Sequence, residues 1–287
     1  MCPVRRRARR PRAGDEMSDA QPPRPVALVT GAGGAIGRAA AAALAASGFD
    51  VCVADLDRSD LAPAQAAVES AGGNCRSYVC DVTNPDLVDA TVAKVFAEAG
   101  RVDVLVNSAG IVHVDGLLDL TFKTWRRVMS VNADGTFLMG QATARAMVKQ
   151  PPNALLGRRG MIVNISSAAA EVGRPTRAAY AASKAVVKHL TMTQALALKD
   201  YAIAACVVYP GEVIEGMLRS IFVDIAEATG RSVEEVIGEA ERDQPTRQFQ
   251  SASQVGQRVA FLASSAGMRF TGTVLWCDSH IDPVPPS

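Results

Sequence analysis

The sequence VALVTGAGGAIGR, residues 26–38, joins a short apolar run to a glycine-rich turn. Val26 to Thr30 is rich in β-branched residues and predicts a buried strand. The alanine-rich run Ala39 to Ala46 predicts a helix that ends at Ser47-Gly48. A strand, a glycine turn and a helix in this order are typical of a dinucleotide-binding turn. Glycine lets the backbone approach a pyrophosphate, and the helix N-terminus attracts its negative charge.

A second apolar run, Asp50 to Ala54, predicts the next strand and ends at the acidic residue Asp55. Asp55 lies 24 residues after Gly31. A carboxylate near that distance holds both hydroxyls of the adenosine ribose and repels a 2′-phosphate. These residues therefore predict NAD as the preferred cofactor over NADP. Arg38 and Arg58 are the nearby cations, and a 2′-phosphate bound by Arg58 is the alternative that would favour NADP. The alternative for Asp55 itself is a carboxylate that only faces water from a loop.

The sequence AAYAASK, residues 178–184, places Tyr180 and Lys184 four positions apart, on one face of a helix. A positive charge near a phenol favours the phenolate and lowers its pKa. With a serine hydroxyl beside them, these groups suit proton exchange at a carbonyl or an alcohol. The spacing alone fits equally well a tyrosine that packs its ring and a lysine that faces water. The upstream glycine turn favours the catalytic interpretation.

Together the motifs resemble the short-chain dehydrogenase/reductase family, from about Pro25 to about Asp278. The matching segments are Thr30–Gly37, Asp81-Val82, Asn107–Gly110, Asn132, Ser167, Tyr180 and Lys184, Pro210-Gly211, Phe261–Ser264 and Thr271-Gly272. The resemblance implies an α/β fold of one domain, a Rossmann-like, doubly wound, seven-stranded parallel sheet with helices on both faces. Strands that alternate with helical patterns agree with this expectation.

The resemblance also implies the roles of individual residues. Tyr180 would exchange the proton, and Ser167 would bind the substrate oxygen. Lys184 would hold the nicotinamide ribose and, together with the oxidised nicotinamide ring, lower the Tyr180 pKa. Asn132 would anchor a water that connects Lys184 to solvent. Cofactor contacts are implied for Gly31, Gly33, Ala35, Ile36, Gly37, Asp55, Asp81, Val82, Asn107, Ala109, Gly110, Tyr180, Lys184, Pro210, Gly211 and Val213. No metal ligand is implied.

Four departures from the family pattern bear on cofactor geometry and substrate. Ala35 replaces a usual glycine, and Glu215 stands where a threonine often holds the nicotinamide amide. Asp278-Ser279-His280 replaces a common Asp-Gly-Gly, and residues 150–159 lengthen the connection to the fifth strand. All four catalytic residues are retained.

Residues 212–250 predict a substrate lid, because apolar residues recur there at helical spacing in two short segments. Their apolar faces either pack on the core or cover an apolar substrate. The resemblance implies hydride transfer between nicotinamide and a carbonyl or secondary alcohol, and it is strongest to 3-oxoacyl carrier-protein reductases. The alternatives are a sugar, steroid or simple alcohol dehydrogenase, or a dinucleotide-sensing regulator without turnover. A homotetramer or homodimer is also implied.

Composition narrows the class of protein. The 287 residues are 48% apolar, enough for one large domain spanning residues 25–287. The net charge of +1 conceals six arginines in residues 1–16, without which 24 basic and 27 acidic residues give −3. This acidic body predicts no nucleic-acid partner, and residues 1–24 are expected to form a disordered basic tail. Six cysteines without metal spacing and no membrane-length apolar run predict a cytoplasmic protein with no membrane partner.

Overall fold

The computed structural model describes residues 24–242 and 247–277. The predicted tail and the Asp278–His280 departure therefore lie outside the described residues, apart from Arg24. The Arg24 guanidinium donates hydrogen bonds to the carbonyl oxygens of Gly48 and Gly72, both at 2.9 Å. Arg24 thus belongs to the folded domain, whereas the sequence predicted that it lies in the tail.

Seven parallel strands form one sheet in the order β3-β2-β1-β4-β5-β6-β7, which confirms the predicted fold class. The strands are Val26–Thr30 (β1), Asp50–Asp55 (β2), Cys75–Val79 (β3), Val104–Asn107 (β4), Gly160–Ile165 (β5), Ile203–Tyr209 (β6) and Val274–Trp276 (β7). β1, β4, β5 and β6 are buried along their whole length. Burial on both faces explains why these strands are apolar throughout rather than alternating.

Helices cover both faces of the sheet. Their bounds are Ala35–Ala46 (α1), Arg58–Ser70 (α2), Pro85–Ala99 (α3), Phe122–Met129 (α4), Gly135–Met147 (α5), Ala178–Leu198 (α6), Arg219–Thr229 (α7), Val233–Arg242 (α8) and Ala252–Ala263 (α9). One core cluster includes Leu44 of α1, Leu61 of α2 and Val259 of α9. A second, on the other face, includes Val92 of α3 and Met139 of α5.

The strand order reverses direction between β1 and β4, and this reversal creates the site. The chain moves outward from β1 to β3 and then crosses to β4 on the other side of β1. In open parallel sheets a ligand crevice forms beyond the carboxyl ends of the strands at such a point. Thr30 ends β1 there, and its Oγ1 accepts hydrogen bonds from the backbone N–H groups of Ser108 and Ala109 at 3.3 and 3.4 Å.

The lengthened segment 150–159 lies at the amino-terminal ends of the strands, on the side of the sheet away from the crevice. The Gln150 side chain is buried and forms a pair of hydrogen bonds with the backbone N–H and carbonyl of Val102. Asn153 Nδ2 donates to the buried Asp103 carboxylate at 3.0 Å. Since Val102 and Asp103 precede β4, the segment closes the amino-terminal ends of the strands. It therefore stabilises the fold and has no contact with the crevice.

No helix within the described ranges combines the length and the apolar character that crossing a membrane requires.

Candidate active site

A cavity of about 1150 Å³ lies beyond the carboxyl ends of the strands. Its wall combines the glycine turn after β1, the ends of β2 and β5, the start of α6 and the first part of the predicted lid. Sixteen of the predicted site residues are on this wall. They are Gly31, Gly33, Ala35, Ile36, Gly37, Asp55, Asp81, Val82, Ala109, Gly110, Ser167, Tyr180, Lys184, Pro210, Gly211 and Val213.

The glycine turn is shaped by two positions that exclude a side chain. Gly31 has φ of +65°, and a Cβ there would lie 2.5 Å from the backbone nitrogen of Ala109. A Cβ on Gly37 would collide with the carbonyl oxygen of Gly31. The turn therefore packs backbone against backbone and leaves the cavity side open, as a dinucleotide pyrophosphate requires.

The N-terminus of α1 faces this open side. Gly34 is the N-cap, no side chain caps the helix, and the first turn has no acidic residue. The first backbone N–H groups of a helix have no partner within the helix and attract anions. The turn and the helix start thus fit the pyrophosphate of a nicotinamide dinucleotide.

Two carboxylates on the wall are held in place by hydrogen bonds. Asp55 ends β2, and its Oδ2 accepts a hydrogen bond from the backbone N–H of Gly33 at 2.8 Å. Asp81 Oδ1 accepts from the backbone N–H and the hydroxyl of Thr83 at 2.9 and 2.7 Å. Asp55 is therefore fixed against the glycine turn, where the sequence predicts the adenosine ribose.

Tyr180 and Lys184 share one face of α6, as their spacing predicted. Lys184 is 6% exposed, and its Nζ donates to the Ile165 carbonyl oxygen at 2.9 Å. The same Nζ lies 5.6 Å from the centre of the Tyr180 ring. Ser167 lies two residues after the end of β5, and its Oγ accepts a hydrogen bond from the backbone N–H of Ala169 at 3.2 Å. The end of β5 and the start of α6 thus bring the three side chains together.

Asn132 is 0% exposed and is not on the cavity wall. It lies in a π-helical turn, residues 130–134, between α4 and α5, a feature frequent at functional sites. Its side-chain amide exchanges two hydrogen bonds with the backbone of Ile111 and donates to Ser183 Oγ at 2.9 Å. Asn132 therefore joins the loop after β4 to α6.

Gly110 separates Asn132 from Lys184. A Cβ on Gly110 would lie 3.3 Å from Asn132 Oδ1 and 3.4 Å from Lys184 Nζ. The glycine therefore permits the close approach of these two side chains, which the predicted connection between Asn132 and Lys184 requires.

The structure does not support a cofactor contact by the Asn107 side chain. Asn107 ends β4, is buried, and donates from Nδ2 to Asn164 Oδ1 of β5 at 2.9 Å. Its Oδ1 is buried with no hydrogen-bond partner among the described residues. Its neighbours Ser108 to Gly110 form the wall instead, because the chain turns toward the cavity only after β4 ends.

Burial is the largest cause of the pKa shifts of Lys184 and Tyr180. It lowers the pKa of Lys184 to about 8, since the ammonium loses its hydration. Burial also raises the pKa of Tyr180, although a hydrogen bond with Ser167 and the charge of Arg177 act in the opposite direction. Without cofactor, the charge that lowers the Tyr180 pKa is that of Arg177, whereas the sequence predicts that Lys184 lowers it together with the oxidised nicotinamide ring.

The lid has a small apolar core of its own. Phe222 and Ala226 of α7 pack against Val236 of α8, so the two helices do not merge with the main core. Leu218 and Ile221 line the cavity. Because the lid helices do not pack on the main core, this arrangement favours the alternative in which they cover a substrate. Residues 243–246 of the predicted lid lie outside the described residues.

Gln250 holds the base of the lid, and sequence reasoning missed it. Its backbone pairs with Glu212 and Ile214, and its buried side chain accepts from the Gly211 N–H and donates to the Cys277 carbonyl. Near this base, Glu215 Oε2 accepts from the backbone N–H of Ala252 at 2.9 Å. Glu215 thus stabilises the start of α9.

Two arginines, Arg174 and Arg177, also line the cavity without having been predicted. The signal for Arg177 was available, because it precedes Tyr180 by three positions, the spacing of neighbours on one helix face. Arg174 lies in the irregular loop before α6, where no periodicity indicates the direction of a side chain.

Comparisons with known proteins agree with this geometry. The family model described as short chain dehydrogenase matches residues 25–226. The 3-oxoacyl-[acyl-carrier-protein] reductase FabG of Thermotoga maritima is 33% identical over 256 residues, 89% of this chain and 97% of that protein.

Two solved structures are similar over most of the chain. NAD+-bound xylitol dehydrogenase has 33% identity and a TM-score of 0.78, covering 88% of this chain and 96% of its own. A variant of actinorhodin polyketide ketoreductase with NADPH has 29% identity and a TM-score of 0.80, covering 88% and 95%. These proteins share a fold and differ in substrate and cofactor.

Proposed function

This chain belongs to the short-chain dehydrogenase/reductase family, and we propose that it interconverts a 3-oxoacyl-type ketone and its secondary alcohol with NAD. As a member of that family it is an oxidoreductase acting on CH–OH or carbonyl groups. The observation that carries the proposal is the placement of Ser167, Tyr180 and Lys184 on the cavity that also contains the glycine turn.

Each residue of this group has a distinct task. The Ser167 hydroxyl binds the substrate oxygen, and the Tyr180 hydroxyl donates a proton to it in reduction or removes one in oxidation. Lys184 binds ribose hydroxyls and places a positive charge beside the phenol. Asn132 positions the loop after β4 and α6. A bound nicotinamide supplies the hydride and, when oxidised, a second positive charge.

The cofactor-binding side of the cavity favours NAD. The Asp55 carboxylate is fixed at the end of β2, three strand positions from β5. At about 4.8 Å per strand, that separation is roughly 14 Å. Lys184, which contacts the end of β5, is therefore too distant to neutralise a phosphate beside Asp55. A 2′-phosphate there would meet a like charge.

We expect Asp55→Asn to lower the ratio of the NADP to the NAD dissociation constant at least about tenfold, because the repulsion disappears. Calorimetry with both cofactors measures this ratio. Asp89→Asn, an exposed change on α3, is the matched control and should leave the ratio unaltered. Tighter NADP than NAD binding by the unmodified protein would refute the assigned preference.

The apolar lid and the similarity to FabG support a 3-oxoacyl-type substrate. A panel of 3-oxoacyl thioesters, sugars, steroids and simple alcohols, each with both cofactors, tests this choice. Greatest kcat/KM with a 3-oxoacyl compound supports it, and a sugar, steroid or simple alcohol as best substrate replaces it. Tight cofactor binding with no turnover of any compound would favour the regulator alternative.

We also propose a homotetramer or homodimer, as the family resemblance implies, supported by large exposed apolar side chains on α4, α5 and α6. Phe122 of α4 is 76% exposed and Leu196 of α6 is 72% exposed, and Phe137 of α5 is also exposed. Exposed apolar area of this kind marks interaction surfaces. Light scattering at micromolar concentration should give a multiple of the chain mass, and the change Phe137→Arg should shift it toward the monomer. A monomer mass for the unmodified protein would overturn this proposal.

A further inference from the structure

Two guanidinium groups lie on the part of the cavity next to Tyr180. Arg177 is the N-cap of α6, and Tyr180 lies three positions later. Residues three apart on a helix are neighbours, with Cβ atoms roughly 5–6 Å apart. Arg174 is linked to Arg177 by a hydrogen bond from the Arg177 N–H to its carbonyl oxygen at 3.0 Å. The charge of Arg177 therefore acts on the Tyr180 hydroxyl, and Arg174 lines the same cavity three positions before Arg177.

These arginines have no acidic partner within the described part of the chain. Neither forms a salt bridge there. The Nε of Arg174 is buried and has no hydrogen-bond partner among the described residues. Leaving a buried polar group unsatisfied destabilises the folded state, and more so when the group is charged. The unpaired Arg174 Nε therefore destabilises the protein alone, and an acceptor from outside the chain would remove this cost.

The loop that carries both arginines is fixed in position. The Thr176 carbonyl oxygen accepts a hydrogen bond from the Asp115 N–H at 2.9 Å. The Asp115 carboxylate is itself bonded to His113 Nε2 at 2.7 Å. The loop is thereby tied to the segment after β4, which also contributes to the cavity wall. A backbone that is already held in place brings its side chains to an anion at a lower entropic cost than a mobile loop does.

Next to the two arginines, the rest of the wall on this side is largely apolar. Val112, Val114 and Val172, with Leu218 and Ile221 of the lid, give an apolar surface. Two glutamates, Glu212 and Glu215, also line the cavity. The Oε2 of Glu215 accepts a hydrogen bond from the backbone N–H of Ala252 in α9. A substrate that fits both the arginines and the apolar surface has an apolar chain and an anionic group.

We propose that Arg174 and Arg177 bind an oxyanion, a carboxylate or a phosphate, on the substrate whose carbonyl oxygen is held by Ser167 and Tyr180. The planar guanidinium matches both anions with paired hydrogen bonds. The inference rests on the proposed function and narrows it to ketones and alcohols that carry such a group. The carbon chain between the carbonyl and the anion lies against the apolar wall.

Matched substrate pairs test the proposal and distinguish the two sources of the anion. The carboxylate pair is 3-oxohexanoate and its methyl ester. The phosphate pair is the 3-oxohexanoyl thioester of coenzyme A and that of N-acetylcysteamine. For each pair, the kcat/KM of the charged member is divided by the kcat/KM of the neutral member to give one ratio. We expect the unmodified protein to prefer the charged member of at least one pair.

The variants Arg174→Gln and Arg177→Gln should each lower that ratio at least about tenfold, the usual effect of losing a charged hydrogen bond. Arg177→Lys should restore part of it. The ratio is the required readout, because loss of the Arg177 charge also raises the Tyr180 pKa and slows both members of a pair. Arg145→Gln, an exposed change in the last turn of α5, is the control.

Binding of unreactive probes separates this inference from the proposed function. Calorimetry compares hexanoate with hexanamide, and 4′-phosphopantetheine with pantetheine. Tighter binding of a charged probe that is lost in both glutamine variants supports the anion site even if no ketone is turned over. Equal ratios and equal probe binding in the unmodified protein and both variants would overturn it.

Discussion

Tyr180→Phe is expected to lower kcat about a thousandfold while the dissociation constant of the cofactor changes by less than about threefold. The change removes only the hydroxyl. Phenylalanine keeps the ring, which lies 5.6 Å from Lys184 Nζ at its centre, so the packing at the start of α6 is preserved. Without the hydroxyl, no group on α6 donates the proton to the substrate oxygen or removes it.

Tyr201→Phe is the matched control. Tyr201 lies in a single helical turn after α6, is largely exposed, and should tolerate the loss of its hydroxyl with no change in kcat. Steady-state rates with the best substrate of the panel, and calorimetry with the cofactor, provide the two readouts. A Tyr180→Phe variant that retains a fifth or more of the parent kcat would rule out the assigned proton exchange.

Lys184→Met is expected to reduce kcat/KM at least about a hundredfold and yet to stabilise the protein in the absence of cofactor. The ammonium is buried, and burial lowers its pKa from 10.5 to about 8. One pKa unit corresponds to about 1.4 kcal/mol, so keeping Lys184 charged in the folded state costs on the order of 3 kcal/mol at neutral pH. Methionine has similar length and no charge to bury.

The sign of the pH dependence follows from the lowered pKa. Below pH 8 Lys184 is protonated in both states, and the folded protein bears the full cost of the buried charge. Between about 8 and 10.5 the unfolded chain binds more protons than the folded one, so stability rises with pH. The advantage of Lys184→Met should therefore be greatest at pH 7 and should shrink toward pH 10.

Urea unfolding of both proteins at pH 7 and pH 10 measures this difference. Lys199→Met, an exposed change just after α6, should alter the free energy of unfolding by no more than about 0.5 kcal/mol at either pH. A Lys184→Met protein less stable than the parent at pH 7 would show that the hydrogen bond to Ile165 outweighs the cost of burial. Loss of activity combined with a gain in stability would identify Lys184 as a residue retained for its chemistry.

Local sequence patterns correctly predicted the strand, turn and helix that begin the domain. β1 was predicted at Val26 to Thr30 and found there, and the glycine turn and α1 follow it as expected. A buried parallel strand needs a continuous apolar run, and a pyrophosphate turn needs glycine, so both leave a direct trace in the sequence. Spacing likewise placed Tyr180 and Lys184 on one face of α6, because helical periodicity fixes which residues are neighbours.

The direction of the pKa shifts could not be read from spacing. The sequence indicated a cation four residues from Tyr180, and this predicted a lowered phenol pKa. In the structure the half-buried phenol loses hydration, which raises its pKa, while a hydrogen bond with Ser167 and the charge of Arg177 act in the opposite direction. Burial depends on what the β5–α6 loop and the lid place around the ring, and these elements are far apart in sequence.

The sequence by itself predicted the alternation of strands and helices, the glycine turn after β1, and the placement of Tyr180 and Lys184 on one helix face, since each depends on contacts within one element or on a fixed turn. Only the tertiary structure decided which side chains reach the cavity. In the structure the Asn107 side chain bonds within the sheet, and residues 150–159 cover the amino-terminal ends of the strands. The Gln250 side chain holds the base of the lid. The tertiary structure also brought Arg174 and Arg177 to the wall beside Tyr180. The physical reason is that irregular loops have no period, so their side-chain directions are set by long-range packing and hydrogen bonds.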